Sequence, residues 1–375
     1  MSGRGPVTML PTLTGVRGLA ALAVVFYHIR GALGGFVPDR VIDVLAEGYL
    51  AVDLFFVLSG FVLWWNYRDP FREQGARAAP RFIVRRFSRI FPLHLAILTA
   101  MALFAAALLA SGRGPNPHYP FAALPAHYLL IQNWGFGDSL LWNVPAWSIS
   151  AEWAAYLLLA ATGGWLARVR VGPWAFPLLV VAVTAGLGVW FASRGLAGIG
   201  EDIAATGLTR CLAEFTLGIL LCQWWSAERE RRRGRAVILG TAGGLGAAAV
   251  LLLAAGWAQP AAIPMLMVAI VILALQASTA ARPLLSGKIA QWLGDISYAV
   301  YLSHYFLWTL FKLFFLDDAA DVHPAGIAAF VLLTLAVSHL LYRCLEVPGR
   351  RLTQRGGDRL LSLAAANLSP RGSRA

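Results

Sequence analysis

Charged residues are scarce in this sequence. They make up 13% of the 375 residues, whereas a soluble domain carries about 25%. Hydrophobic residues make up 58%, and the mean hydropathy is +0.65. The composition therefore excludes an ordinary soluble domain and predicts an all-α polytopic protein that lies in a lipid bilayer.

Signals of several other protein classes are missing. The three cysteines form no CxxC motif, and we expect all of them to be small buried apolar residues: Cys211, Cys222 and Cys344. No spacing typical of a metal site, such as HExxH, occurs, so no metal is expected. The net charge of +12 is not gathered in a soluble basic domain, which argues against a nucleic-acid partner.

Long apolar runs predict about ten transmembrane helices. They lie near residues 17–36, 48–66, 90–110, 145–167, 174–192, 207–225, 237–256, 261–280, 293–316 and 325–343. We therefore predict one membrane domain over residues 1–349. The rest, residues 350–375, is predicted to be a short, basic, disordered cytoplasmic tail that is too short to fold alone.

The positive charges between the runs predict the orientation. Even-numbered connections carry most of them: Arg68, Arg72, Arg77, Arg81, Arg85, Arg86, Arg89, Arg168, Arg170, Arg229, Arg231, Arg232, Arg233, Arg235, Arg282 and Lys288. Odd-numbered connections carry few, and one of them is acidic: Arg40, Arg113, Arg194, Asp317, Asp318 and Asp321. The positive-inside rule then places both termini in the cytoplasm. Richness in Ala, Gly and Arg suggests a bacterial plasma membrane.

Two ionisable residues flank an apolar stretch of the first predicted helix. Arg17 and His28 are eleven positions apart, about three helical turns, so both lie on one face, separated by roughly 16 Å along the axis. If Arg17 lies at the cytoplasmic edge, we expect His28 near the midplane of the bilayer. An ionisable residue at that depth indicates a functional site, although a packing histidine with a hydrogen-bonded neighbour is the alternative. The N-terminal segment also resembles a signal peptide, but cleavage would discard both residues, so we favour an uncleaved first span.

Polar residues also occur inside other apolar runs. Asp53 lies in the second predicted helix. The fourth begins with WSISAEW, which contains Trp147, Ser148, Ser150 and Glu152, and the ninth places Tyr298, Tyr301 and His304 at steps of three. Before the third comes RFIVRRFSRIFP, whose Arg85, Arg86 and Arg89 suit phosphate binding. The alternatives are a topology signal for the arginines, helix-to-helix hydrogen bonding for Asp53 and Glu152, and packing for the tyrosines.

These elements together resemble the acyltransferase-3 family of integral membrane acyltransferases. The elements, in order, are GVRGLAALAVVFYH, GYLAVDLFFVLSGF, the R-x-x-R-I-x-P of Arg86 to Pro92, WSISAEW and SYAVYLSH. Arg17 and His28 match the essential arginine and histidine of the family's first helix, and Arg86 and Arg89 match its arginine pair. One departure is Trp153, where a second acidic residue or glutamine is expected after Glu152.

The resemblance implies a ten-helix domain that takes an acyl group from cytoplasmic acyl-CoA, most commonly acetyl-CoA, and delivers it to a hydroxyl of a glycan or glycoside. Acyl-CoA is then a donor substrate, and no permanently bound cofactor is expected. Some members carry a further soluble domain that takes part in transfer. Since the chain ends about 30 residues after the last predicted span, we expect the reaction to run within the membrane domain or with a separate partner protein.

The residue chemistry fits this reaction. A sugar hydroxyl is a poor nucleophile near neutral pH, so transfer needs a base, and His28 is suited because its reference pKa of about 6.5 lies near the working pH. Arg17 would hold the pantetheine phosphate or stabilise an oxyanion, and Arg85, Arg86 and Arg89 would dock the CoA phosphates. Asp53 or Glu152 would orient the imidazole. Trp147, Ser148, Ser150, Tyr298, Tyr301 and His304 would line the substrate.

A second class of function also fits the intramembrane charges. In a secondary transporter or flippase, the His, Asp, Glu and Arg residues would form a proton relay or a substrate site. Paired inverted halves with interrupted helices would favour that hypothesis, and the sequence contains no matched pair.

Overall fold

The computed structural model describes residues 10–112, 114–136, 140–277, 281–315 and 322–368. In this part of the chain all regular structure is helical. The α-helices are α1 (Pro11–Ile29), α2 (Asp39–Ala46), α3 (Ala51–Gln74), α4 (Ala79–Ala110), α5 (Leu124–Tyr128), α6 (Ala146–Leu166), α7 (Ala175–Ala192), α8 (Ile203–Glu228), α9 (Gly234–Ala254), α10 (Gln259–Leu275), α11 (Arg282–Ser286), α12 (Lys288–Phe315), α13 (Pro324–Leu341) and α14 (Val347–Leu368). The all-helical prediction is confirmed for these residues.

Each of the ten predicted segments overlaps one long helix, but not all ten qualify as spans. Six helical stretches are long and apolar enough to cross a membrane: Pro11–Leu33, Asp39–Ala110, Ala175–Ala192, Ile203–Glu228, Gly234–Ala254 and Pro324–Ala364. Helix α10 is apolar but shorter. Within the described residues, α6 and α12, which carry two of the polar patterns, are not among the stretches that are long and apolar enough. The count of ten crossings stays a prediction.

Two helix starts differ from the predicted ones in ways that matter for the site. Helix α1 begins at Pro11, six residues earlier than predicted, and ends one residue after His28. His28 therefore lies near the far end of α1 rather than near its middle. Helix α4 begins at Ala79, so the arginine-rich segment before residue 90 is helical instead of a connection. Hydropathy marks where a helix becomes polar, and a helix can continue beyond that point.

Close packing of glycines joins α1 to α12 and α3 to α8. Gly18 lies against the backbone of Gly294, and Gly218 lies against the carbonyl oxygen of Val57. Helices in a membrane associate through such small residues, because the missing side chain lets the backbones approach.

Helices α1 and α12 run in the same direction, as do α3 and α8. The His28 and His304 ring centres lie 5.1 Å apart. His28 comes ten residues after Gly18 on α1, and His304 comes ten residues after Gly294 on α12. Along α3 and α8, Asp53 pairs with Arg210, and Trp65 packs against Trp225. In each pair of helices, a later residue of one helix contacts a later residue of the other, so the two helices must be parallel.

The tail contradicts one prediction. Residues 350–375 were expected to be disordered, but α14 extends to Leu368 and packs along α4. Arg85 donates to Gln354 Oε1 at 2.7 Å and to Asp358 Oδ2 at 3.1 Å, and Gly357 lies against Val84. A surface on α4 therefore stabilises a segment that is too polar to fold alone.

Two smaller predictions concern cysteines and the charges of the odd-numbered connections. Cys211 and Cys222 are buried as expected, but Cys344 is exposed, because it lies at the junction of α13 and α14 on their outer side. Four of the charged residues used for the orientation lie outside the described residues: Arg113, Asp317, Asp318 and Asp321.

Candidate active site

The polar residues of the helices gather in two clusters at different heights along α1. The arginine cluster comprises Arg17, Arg86, Arg89 and Glu152. The histidine cluster comprises His28, His304, Tyr301 and Ser148. The rise along α1 separates the two clusters by about 16 Å.

Arg17 faces the interior between α1 and α12. Its Nη2 donates to the carbonyl oxygen of Gly294 at 3.1 Å, and the carboxylates of Asp295 and Glu152 lie close enough to interact electrostatically. Its Nε is buried and has no hydrogen-bond partner among the described residues. Arg17 is therefore positioned by the backbone of α12 while one N–H stays free for a further acceptor.

Arg86 and Arg89 lie on one face of α4, and both approach aromatic rings. Arg86 donates to the hydroxyl of Tyr67 at 3.3 Å, and its Nε is a buried donor without a partner in the described part of the chain. Arg89 lies 5.2 Å from the ring centre of Tyr298 and forms an ion pair with Glu346. Glu346 lies at the junction of α13 and α14, and its side chain is 1% exposed and contacts the cluster.

Glu152 belongs to the arginine cluster and not to the histidine cluster. The hydroxyl groups of Ser59 and Tyr156 contact its carboxylate, and Arg86 and Arg89 interact with it electrostatically. Its partners thus come from α3, from α4 and from its own helix, α6. Arg85, in contrast, turns away from the cluster toward α14, so the structure does not bring it together with Arg86 and Arg89.

His28 lies among aromatic rings. The ring centre of His28 is 5.1 Å from that of His304, 4.9 Å from that of Tyr27 and 5.4 Å from that of Tyr305. His304 is fully buried, and its Nδ1 bonds to the carbonyl oxygen of Val300 at 3.0 Å. Its Nε2 has no hydrogen-bond partner among the described residues. The two imidazoles therefore form a tilted pair, with 43° between the ring planes, in which His304 is held by the backbone.

Tyr301 and Ser148 connect this pair to the start of α6. Their hydroxyl groups are 2.7 Å apart, and both donate to the carbonyl oxygen of Pro145 at 3.1 Å. Trp147 packs edge-on against Phe56. These contacts fix the beginning of α6 against α12 and place Trp147 and Tyr301 on the same side as His28.

Two other predicted lining residues contact the backbone instead. Ser150 is fully buried, donates to the carbonyl oxygen of Leu130 at 2.9 Å and accepts the N–H of Asn133 at 3.1 Å. Tyr298 donates to the carbonyl oxygen of Ile90 at 2.7 Å. Both side chains hold neighbouring segments in place.

Asp53 has a partner that the sequence analysis missed. Its two carboxylate oxygens accept Nε and Nη2 of Arg210, which is 1% exposed and also donates to the carbonyl oxygen of Ile199 at 3.1 Å. The Trp147 ring centre lies 5.6 Å from the guanidinium. Within the described residues, no carboxylate of Asp53 or Glu152 bonds to the His28 ring, so neither fits the orienting role in this geometry. The missed signal was an arginine four residues before Glu214 in an apolar helix.

A cavity of about 400 Å³ lies beside the histidine cluster. His28, Tyr301, Trp147 and Arg210 form part of its wall, and Tyr49, Glu201 and Gln259 contribute from other elements. Pockets for small molecules are typically about 300–1,000 Å³ and combine apolar surface with a few polar groups. The cavity therefore has a histidine on its wall and a volume in the range that small molecules occupy.

The fold and this site define a polytopic helical membrane protein with a buried polar site. A family model described as an acyltransferase domain matches residues 10–343, and the chain belongs to that family, the acyltransferase-3 family. This confirms the resemblance found in the sequence.

Three curated relatives show what the chain is similar to. Acyltransferase MdmB of Streptomyces mycarofaciens is 35% identical over 164 residues, which cover 40% of this chain and 38% of the relative. Protein 2 in the picA locus of Rhizobium radiobacter is 34% identical over 190 residues, covering 46% and 89%. Peptidoglycan O-acetyltransferase OatA of Listeria monocytogenes is 24% identical over 377 residues, covering 91% and 56%.

The match spans well under two thirds of the length of MdmB and of OatA. No solved structure matches the chain.

Proposed function

We propose that this chain is a membrane-embedded O-acyltransferase. It moves an acyl group, acetyl being the simplest case, from acyl-CoA to a hydroxyl group of a carbohydrate or glycosylated acceptor. The observation that carries the proposal is the position of His28, which lies beside His304 on the wall of a 400 Å³ cavity in a chain of an acyltransferase family.

In the proposed step, His28 accepts the proton of the acceptor hydroxyl as that oxygen attacks the thioester carbonyl carbon. The carbon–sulfur bond then breaks, and the CoA sulfur takes the proton back from His28. The products are an ester of the acceptor and CoA with a free thiol. His304 packs against His28 and, anchored to Val300, positions its ring.

The arginine cluster would bind the phosphate groups of the donor. Arg17, Arg86 and Arg89 lie near three carboxylates, Asp295, Glu152 and Glu346, and Arg350 adds a fourth cation near Arg89. The cluster therefore carries an excess of positive charge, as an anion site requires. Since Arg17 lies about 16 Å along α1 from His28, a phosphate role suits it better than contact with an oxyanion. An extended pantetheine arm is long enough to join the two clusters.

We also propose ten membrane crossings with both termini in the cytoplasm of a bacterial cell and the plasma membrane as the location. The parallel packing of α1 with α12 and of α3 with α8 supports this topology. In it, α1 and α12 are the first and ninth spans, and α3 and α8 are the second and sixth. Each pair then crosses the membrane in the same direction, as the contacts require.

The acceptor class rests on the relatives and on the site. OatA carries the name of a peptidoglycan O-acetyltransferase, and peptidoglycan is built on a glycan. The cavity wall combines aromatic rings with amide, carboxylate and guanidinium groups, which together suit a polyhydroxylated ring.

Purified protein in lipid nanodiscs tests the donor and the base without a known acceptor. Binding of radiolabelled acetyl-CoA and its slow conversion to free CoA would be compared between the wild type, His28→Ala and the double variant Arg86→Ala/Arg89→Ala. We expect His28→Ala to bind acetyl-CoA but to lose CoA release, and the double variant to bind it more weakly.

Two matched controls belong to this experiment. His118→Ala removes an exposed histidine, and Arg81→Ala removes an exposed arginine of α4, and both should leave binding and CoA release unchanged. If the wild type shows no saturable binding of acetyl-CoA or of longer acyl-CoAs, the donor assignment is wrong.

A further inference from the structure

The two charged side chains on the cavity wall differ in whether another protein group neutralises them. Among the described residues that line the cavity, the side chains with a formal charge at neutral pH are Arg210 and Glu201. Arg210 is paired through two nitrogens with Asp53 and through the third with the carbonyl oxygen of Ile199. Its charge is therefore balanced within the protein and offers little attraction to an anion.

Glu201 forms no ion pair with any residue that the structure describes. Its Oε1 accepts the backbone N–H of Gly198 at 2.8 Å, which fixes the carboxylate on the wall. Arg30, which lies near His28, does not line the cavity, and it is held by the carbonyl oxygen and the ring of Tyr27. The uncompensated charge that faces a cavity occupant is therefore negative.

The remaining wall suits a sugar ring. Tyr27, Tyr49, Trp147 and Tyr301 contribute aromatic surface. Gln259 is held in place because its Oε1 accepts the hydroxyl of Tyr49 at 3.0 Å and the N–H of Ile199 at 3.2 Å, so its amide nitrogen can donate to a hydroxyl. A fixed donor, a fixed carboxylate and aromatic faces recognise a ring with several hydroxyl groups.

We propose that this cavity is the acceptor site and that Glu201 makes it selective for charge. An acceptor with a protonated amine is favoured over a neutral one, and a neutral one over an acceptor that carries a carboxylate or phosphate. This inference rests on the proposed function, because it presumes that His28 activates a hydroxyl in the same cavity.

Three methyl glycosides that differ at one carbon test the inference. Their sixth carbon carries a hydroxyl, a dimethylamino group or a carboxylate, and the tertiary amine cannot itself be acylated to a stable amide. The readout is kcat/KM for CoA release stimulated by each glycoside, with the ester product confirmed by mass spectrometry. We expect the wild type to prefer the amine over the carboxylate by about tenfold, as attraction and repulsion near a partly solvated carboxylate predict.

Variants of Glu201 then separate charge from structure. Glu201→Gln should bring the amine-to-carboxylate ratio close to one, and Glu201→Lys should reverse it. Because each ratio is measured within one protein sample, a loss of folded protein does not alter it. Glu230→Gln removes an exposed carboxylate beyond the opposite end of α8, and it should leave the ratio unchanged.

The outcomes distinguish the two proposals. CoA release by the wild type without an amine preference, or a ratio unchanged in Glu201→Gln, overturns this inference and leaves the proposed function standing. A wild type that releases no CoA under any condition overturns both.

Discussion

The arginine cluster and the Asp53–Arg210 pair show two ways of keeping arginines inside a membrane protein. Arg210 has three satisfied nitrogens and is bonded to Asp53, and the buried Glu214 also lies near it. In the arginine cluster, Arg17 and Arg86 each keep a buried Nε without a partner in the described part of the chain, although three carboxylates, Asp295, Glu152 and Glu346, lie near its cations.

The difference separates a structural ion pair from a ligand site. A buried charge with all its bonds made in the protein stabilises one conformation, and removing its partner is costly. A buried donor without a partner lowers stability unless something else binds it. The unpartnered nitrogens are the reason why we propose the arginine cluster, rather than Arg210, as the site of a substrate anion.

The largest effect is expected at the base. His28→Ala should lower CoA release by at least about a hundredfold, since general base catalysis contributes roughly 10²–10⁴, while the thermal midpoint of unfolding stays close to that of the wild type. His304→Ala should have a smaller effect on the rate, because His304 acts through the His28 ring. Equal losses in both variants would mean that the two rings act as one unit.

The Asp53–Arg210 pair should dominate stability. Asp53→Ala leaves a buried guanidinium without its counterion, which costs about 3–5 kcal/mol and should lower the thermal midpoint of the protein in detergent. The triple variant Asp53→Ala/Arg210→Met/Glu214→Gln should recover most of that loss, because it also neutralises the buried Glu214 carboxylate beside Arg210 and leaves no unpaired charge. If Asp53→Ala is as stable as the wild type, the Asp53–Arg210 pair does not stabilise the fold. The contrast between a structural ion pair and a ligand site would then be wrong.

In the arginine cluster, removing a cation and removing a carboxylate should have opposite effects on acetyl-CoA binding. Arg89→Ala should weaken acetyl-CoA binding by about tenfold or more, as expected for the loss of a charge-assisted hydrogen bond of about 1.5–3 kcal/mol. Glu346→Gln should preserve or tighten binding, because it removes an anion that competes with phosphate for Arg89. Weaker binding in Glu346→Gln would show that Glu346 positions Arg89 instead.

The smallest effect is expected at Arg85. Its partner Asp358 is 39% exposed, and exposed ion pairs contribute about 0.2–1 kcal/mol. Arg85→Ala should therefore change acetyl-CoA affinity by less than about threefold, and we expect only a slightly lower thermal midpoint. A loss as large as that of Arg89→Ala would return Arg85 to the donor site.

The sequence predicted the helices and the family because those signals are local. An apolar run and a polar residue inside it can be read directly, which is why Arg17, His28, Asp53 and His304 were found. Their partners depend on which helices pack together. The sequence left open whether Asp53 or Glu152 orients His28, and it did not reveal that α8 brings Arg210 to Asp53, because no spacing within one helix shows that contact.

Two further differences have the same origin. Glu346 lies 257 residues from Arg89, and Arg85 meets α14 across a similar separation. Helical periodicity predicted that Arg85, Arg86 and Arg89 lie together at one end of α4. It could not show that Arg85 contacts α14 while Arg86 and Arg89 face the arginine cluster. The disordered tail was predicted from its polarity, which does not reveal the surface of α4 that it covers.

The glycine contact between α1 and α12 has a consequence at a distance. A Cβ atom on Gly18 would meet the backbone of Gly294 at 2.7 Å, so even alanine would push the two helices apart or make one slide along the other. Ten residues farther along each helix, about 15 Å away, are His28 and His304. The distance between the two imidazoles thus depends on Gly18, which has no side chain and lies about three helical turns from them. Gly18→Ala should lower the rate by moving the imidazoles relative to each other, although it removes neither of them.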